Sequence, residues 1–270
     1  MSKRTFLSVT LAALSLMSAL PASAEGLGTP VRAEIIEGWQ RSDGTRVAAI
    51  RFRLAPGWKT YWRAPGDAGI PPQFDWSGSQ NLRGVGLTWP APTVFEEGGL
   101  RTIGYKDELV LPITVAPLRG GAPVSLNATL DIGVCSDICV PQQLRLSATL
   151  DDASTRPVPA IAAALAARAY TGAEAGLRAA TCTLRPTESG LQLETRLTLP
   201  ATGGEEVVVI EPGPGLWAGA TDTRRKGGDL VATAEVAALS GDAIAIDRSA
   251  ITITVLGRDR AVEIEGCTPG

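Results

Sequence analysis

The feature that most limits the fold of this chain is a short run of alternating apolar and polar residues, repeated many times and stopped by Gly, Pro, Asn or Asp. Arg46–Leu54 (RVAAIRFRL), Leu109–Ala116 (LVLPITVA), Val124–Ile132 (VSLNATLDI) and Gln143–Leu150 (QLRLSATL) have this form. It returns at Leu191–Leu199, Glu206–Ile210, Leu230–Val236 and Ile251–Leu256. Successive side chains of an extended strand point to opposite faces, so a period of two gives each run one apolar face. Many such runs between turn residues indicate an all-β chain built as β-sandwiches. The 30 Gly and 19 Pro are spread along the chain as turn signals, with no low-complexity tract.

One segment breaks the pattern. Pro159–Ala169 (PAIAAALAARA) is Ala-rich with Pro at its start, which predicts a helix of about three turns. The polar segment Asp151–Pro157 (DDASTRP) precedes it and marks a domain boundary. The helix is either a linker helix or the first element of a second domain. A chain of 270 residues is long enough for two sandwiches, each with its own core. The expected organisation is a first sandwich over 25–152, a linker with the helix over 153–172 and a second sandwich over 173–270.

Residues 1–24 read as a secretory signal peptide. Lys3 and Arg4 form a positive start, Phe6 to Leu20 an apolar stretch, and Ala22-Ser23-Ala24 a small-residue cleavage site. No later stretch holds the roughly 18 consecutive apolar residues of a membrane span. The expectation is an exported, soluble mature chain in which disulfides can persist. The net charge is −3 and falls further once Lys3 and Arg4 are removed, which argues against nucleic acid as a partner.

The chain contains no His. That excludes a Ser-His-Asp triad, a Cys-His nucleophile pair and any His-ligated zinc or haem. The chemistry that remains centres on four Cys. Cys182 and Cys267 bracket nearly all of the second domain. Joining them would stabilise that domain by roughly 4–5 kcal/mol in the chain-entropy model, so they read as a structural disulfide. Cys135 and Cys139 stand in Gly133-Val134-Cys135-Ser136-Asp137-Ile138-Cys139-Val140-Pro141, between two expected strands and hence at an exposed turn. A bond between them closes only a small loop and contributes little entropic stability. Spacing alone leaves three readings open: redox exchange, a structural hairpin disulfide, or two ligands of a soft metal. Asp137 lies between the two Cys, and Lys106 and Arg145 are the cations nearest to hand.

The surroundings of the pair carry a resemblance. Gly104-Tyr105-Lys106-Asp107-Glu108-Leu109-Val110-Leu111-Pro112 leads through one further strand to the Cys135–Pro141 segment. This order resembles the N-terminal periplasmic domain of the DsbD thiol:disulfide interchange family. Gly57-Trp58-Lys59-Thr60-Tyr61-Trp62-Arg63-Ala64-Pro65-Gly66-Asp67 is similar to its copper-sensitivity suppressor (ScsB) branch. The resemblance covers about residues 30–150. It implies immunoglobulin-like sandwiches and a redox pair, Cys135 and Cys139, with Cys139 open to mixed-disulfide attack. It implies a periplasmic location, a separately encoded membrane electron donor and thioredoxin-fold partners, with no cofactor. A cap loop is expected at Val94–Leu100, with Phe95 as its shield. Two departures stand out: the Cys spacing is shorter than in DsbD itself, and the chain ends at Gly270 without a membrane or thioredoxin-like part.

Two further segments have competing readings. Trp58, Tyr61 and Trp62 with Pro65-Gly66-Asp67 could be a binding surface, or core residues followed by a turn. Arg224-Arg225-Lys226 beside Gly227-Gly228 reads as a solvated hairpin tip. The functional expectation is thiol–disulfide exchange through Cys135 and Cys139. One alternative is a binding module with two structural disulfides. The other is Cu(I) handling by the two thiolates, which the scarcity of His and Met disfavours.

Overall fold

The computed structural model describes residues 29–151, 154–187, 190–239 and 245–270. The expected leader (1–24) and the expected boundary at 152–153 lie outside the described residues. The first half forms β1 (Val31–Gln40), β2 (Arg46–Leu54), β3 (Lys59–Gly66), β4 (Gln73–Asp75), β5 (Leu82–Leu87), β6 (Thr93–Glu97), β7 (Leu100–Lys106), β8 (Glu108–Pro117), β9 (Val124–Cys135) and β10 (Cys139–Leu150). One sheet runs β1-β2-β8-β5; the other runs β10-β9-β3-β7-β6, with β4 beside β9. Ile50, Phe52, Leu111 and Ile113 of the first sheet meet Trp62, Ile103, Leu126, Leu130 and Val134 of the second. This is the interdigitated core of a face-to-face sandwich.

The helix α1 (Pro159–Ala166) follows. It ends three residues before the expected Ala169. The chain is drawn into extended pairing there: Ala91 N donates to Ala167 O at 2.8 Å, and Pro90 bridges Arg168. By packing, α1 belongs to the first sandwich rather than to the second. Its Ile161 covers Val47 and Ala49 on the outer face of β2. A strand covered on both faces need not alternate, which accounts for the nearly continuous burial from Arg46 to Ile50.

The second half forms β11 (Tyr170–Thr171), β12 (Ala179–Thr187), β13 (Gly190–Thr198), β14 (Val207–Glu211), β15 (Leu216–Ala218), β16 (Asp222–Lys226), β17 (Asp229–Ala238), β18 (Thr252–Leu256), β19 (Ala261–Glu265) and β20 (Thr268–Pro269). Its sheets run β11-β19-β18-β14 and β15-β17-β13-β12-β20, with β16 on β17. Leu193, Leu197, Leu230 and Val236 pack against Ile253, Val255, Val262 and Ile264. Cys182 on β12 is bonded to Cys267, and the next two residues pair with β12 as the parallel strand β20. The disulfide thus pins the C-terminal segment to the sheet. The two halves also share a core, since Val207, Leu256 and Ala261 join the cluster of the first sandwich. No helix among the described residues is long and apolar enough to cross a membrane.

The basic run Arg224–Lys226 is a strand leading into the Gly227 turn, and its middle residue is not a solvated tip. Arg225 Nε and Nη2 each donate to a Glu206 carboxylate oxygen at 2.7 Å. Burial pushes the Glu206 carboxyl up, but the donors Arg225 and Thr202 outweigh it and hold it below its ordinary 4.5. A carboxyl depressed in the folded state stabilises above its unfolded pKa, and that contribution is lost as pH falls through the folded value. Glu206→Gln should therefore cost roughly 1–2 kcal/mol at neutral pH. In denaturant unfolding measured against pH, the variant and the parent should converge as pH falls below 4.5. A difference that persists unchanged in acid would contradict this origin.

Candidate functional site

The site grows out of the β9–β10 hairpin. The two strands pair residue for residue from Val124↔Leu150 to Cys135↔Cys139. The loop Ser136-Asp137-Ile138 closes them, with Ser136 N donating to Ile138 O at 3.0 Å. Cys135 and Cys139, the last register pair, are joined by a disulfide with Cα atoms 4.1 Å apart. Their surroundings differ sharply. β9 lies between β10 and β3, so Cys135 is flanked on both sides and only 1% exposed. β10 is the sheet's edge, and Cys139 is exposed on it. Ile138, beside Cys139 in the loop, is 52% exposed although apolar.

The neighbouring strand β3 completes the site. Lys59 pairs with Cys135 and Thr60 with Val134; Thr60 Oγ1 also donates to Gly133 O at 2.9 Å. Continuing that register sets Tyr61 opposite Gly133. The Tyr61 side chain is 3% exposed. Its hydroxyl donates to Cys135 Sγ at 2.6 Å and lies 3.3 Å from Cys139 Sγ. Glycines make room for the ring: a Cβ on Gly133 would stand 3.0 Å from Tyr61 Cδ2, and one on Gly69 would stand 3.0 Å from Tyr61 Cδ1.

Lys59, rather than the expected Lys106 or Arg145, is the cation set against Cys135 by register. Its Nζ donates to Thr102 Oγ1 at 3.3 Å. Phe95, the expected shield, lies under two ammonium groups: Lys59 at 5.2 Å and Lys106 at 4.7 Å from the ring centroid. Arg145 donates to Gln143 on its own strand. The aromatic side chain that meets the disulfide is Tyr61. Of the other two aromatics of that segment, Trp62 is in the core and Trp58 packs against it half-buried. In the Pro65-Gly66-Asp67 turn, Gly66 takes φ +84°, a value that only glycine adopts freely.

Just before that turn, Arg63 of β3 reaches the junction of the two sandwiches. Arg63 Nε and Nη2 donate to Glu211 at 3.0 and 2.9 Å, and Nη2 also bonds Glu263. Burial opposes the charge on Arg63, and the two carboxylates more than offset it. Beside this pair is a cleft of about 500 Å³ lined by Arg63, Pro65, Ile210, Pro212 and Trp217. The disulfide is not part of its wall, so this cleft and the thiol chemistry are separate.

This is the arrangement of a known class. Residues 32–151 match the family model described as the N-terminal part of the thiol:disulfide interchange protein DsbD. The matched residues are those of the first sandwich. The whole chain is similar to the N-terminal periplasmic domain of ScsB from Proteus mirabilis, at 27% identity and a TM-score of 0.65, covering 89% of this chain and 93% of that one. No curated protein matches the chain.

The contrast between the two disulfides is directly measurable. Cys182 is fully buried and Cys267 half-buried, whereas Cys139 is exposed. Under limiting dithiothreitol followed by alkylation and mass spectrometry, Cys139 should be labelled first, and Cys182 and Cys267 only on unfolding. Equal labelling of all four Cys in the folded protein would contradict the assignment.

Proposed function

We propose that this protein exchanges thiols and disulfides in the periplasm through Cys135 and Cys139, taking electrons from a separately encoded membrane reductase and passing them to thioredoxin-fold partners. The observation that carries this reading is an exposed Cys139 bonded to a buried Cys135 at the tip of a hairpin in a DsbD-type domain. The periplasmic location rests on the leader-like residues 1–24 and on the periplasmic domain the chain resembles.

In the reducing direction, the Cys139 thiolate attacks a partner disulfide. A Cys139–partner bond forms, and the partner's second sulfur leaves as a thiolate and takes a proton from water. The Cys135 thiolate then attacks Cys139 Sγ. The Cys135–Cys139 bond forms, the mixed disulfide breaks, and the partner departs with both electrons. Recharging runs in reverse: a donor thiolate attacks Cys139 Sγ and Cys135 leaves as a thiolate, then the donor's second thiolate attacks the donor sulfur of the mixed disulfide, and Cys139 leaves as a thiolate with the donor oxidised. Cys139 is the reachable sulfur in both directions, with Ile138 beside it as an apolar contact for the docking partner. Phe95 lies against the ammonium of Lys59, the strand neighbour of Cys135. The second sandwich holds β3 through Arg63, and Cys182–Cys267 holds the second sandwich.

Cys135→Ser leaves Cys139 able to attack but unable to be resolved. The reduced variant should accumulate a mixed disulfide with a periplasmic thioredoxin-fold protein on a non-reducing gel, and Cys139→Ser should accumulate none. If Cys135→Ser traps no such protein while the folded thiol still reacts with a small disulfide, the exchange role is wrong. The chain would then be a binding module with two structural disulfides.

A further inference from the structure

In both directions of exchange, the sulfur that must carry negative charge out of solvent is that of Cys135. It is the resolving nucleophile in one direction and the leaving group in the other. At 1% exposure, desolvation disfavours its thiolate. Proteins commonly correct this with an imidazole, a helix N-terminus or a nearby cation. This chain has no His, and Cys135 lies at the end of a strand. The adjacent cation, Lys59, aims its ammonium at Thr102 and the face of Phe95.

The group that does point at the sulfur is the Tyr61 hydroxyl, 2.6 Å from Cys135 Sγ. We propose that Tyr61 is a catalytic residue of this site, donating its hydroxyl proton as a hydrogen bond to the Cys135 thiolate as it forms. The inference rests on the exchange reading above and adds the device that makes a buried, His-free thiolate attainable. No proton is transferred: the phenol stays protonated and stabilises the anion in place.

Three features fit this role. A divalent sulfur in a disulfide is a weak acceptor, whereas a thiolate is a charged one, so the bond strengthens when the S–S bond opens. Stabilisation that appears only as charge develops lowers a barrier rather than merely favouring the resting state. The hydroxyl also cannot wander. Tyr61 is nearly fully buried, Gly133 and Gly69 bracket its ring, and a Cβ at Gly133 would come within 2.7 Å of Ile70 Cβ as well. The 3.3 Å approach to Cys139 Sγ leaves the hydroxyl beside both sulfurs as the bond between them shifts. A donor fixed before the reaction needs no reorganisation during it.

The test is Tyr61→Phe, which keeps the ring and removes only the hydroxyl. With Cys139→Ala added, Cys135 is the single thiol of the pair, and its thiolate can be titrated by ultraviolet absorbance. A hydrogen bond to a charged group typically carries about 1.5–3 kcal/mol, so losing it should raise the Cys135 titration midpoint by roughly one to two pH units. With both Cys present, resolution of the Cys139–glutathione mixed disulfide, the step in which Cys135 attacks, should slow roughly 3- to 10-fold below that midpoint. The loss is smaller than the fall in thiolate fraction because a more basic thiolate is a better nucleophile. Gly133→Ala, which keeps the hydroxyl but crowds the ring, should move both readouts the same way. An unchanged midpoint and pH–rate profile in Tyr61→Phe, with the parent exchanging normally, would overturn the role of Tyr61 while leaving the exchange reading intact. A parent whose reduced pair exchanges with no disulfide would instead sink the exchange reading itself.

Discussion

The pairing of β3 with β9 is the contact on which the rest of the site depends. Two register pairs, Lys59 with Cys135 and Thr60 with Val134, fix where the next residues of β3 fall. Thr60 locks the register by bonding Gly133 O. One residue on, Tyr61 reaches the disulfide; Trp62 enters the core; Arg63 bonds two carboxylates of the second sandwich. A slip of one residue would exchange the faces of the strand. Tyr61 would point into the core and Trp62 out of it, and both the sulfur contact and the packing would be lost.

The same pairing explains why the two cysteines differ although they are register partners. Cys135 is enclosed because β9 has neighbours on both sides, and Cys139 is open because β10 has only one. An edge strand is normally a hazard, since its free backbone groups invite pairing with other chains. Here the edge serves access, with the three-residue loop and exposed Ile138 beside the reachable sulfur. The second disulfide sits in the opposite setting, with Cys182 fully buried on an inner strand and its bond to Cys267 tying down the chain's last strand. The division of the four cysteines into two unlike pairs therefore has a topological cause.

Much of the fold was legible because burial on one face imposes period-two alternation. Arg46–Leu54 matches an observed strand end to end, and Val124–Ile132 falls three residues short. The shortfall is the site itself: Ile132 to Cys135 are buried without alternation, because Tyr61 and Ile70 cover the outer face at Gly133. The helix was legible from its alanines, but not its end or its allegiance, which tertiary contacts at Ala167 and Ile161 decide. The four cysteines were legible as two pairs from spacing. The placement of Lys59 and Tyr61 beside Cys135 was not, because it depends on a strand pairing across more than 70 positions of sequence. The one available signal was the aromatic cluster Trp58-Tyr61-Trp62, in which a buried tyrosine needs a partner for its hydroxyl.

The central claim is that Cys135–Cys139 is an exchangeable bond rather than a staple. The measurement that tests it most directly is the reduction potential of that pair, by equilibration with glutathione or dithiothreitol buffers in the folded protein with Cys182–Cys267 intact. Structural disulfides of exported proteins have potentials below about −300 mV, and exchange-active ones lie above that. The account predicts a value above about −300 mV, within reach of thioredoxin-like donors. A value well below it would make the bond structural and contradict the account.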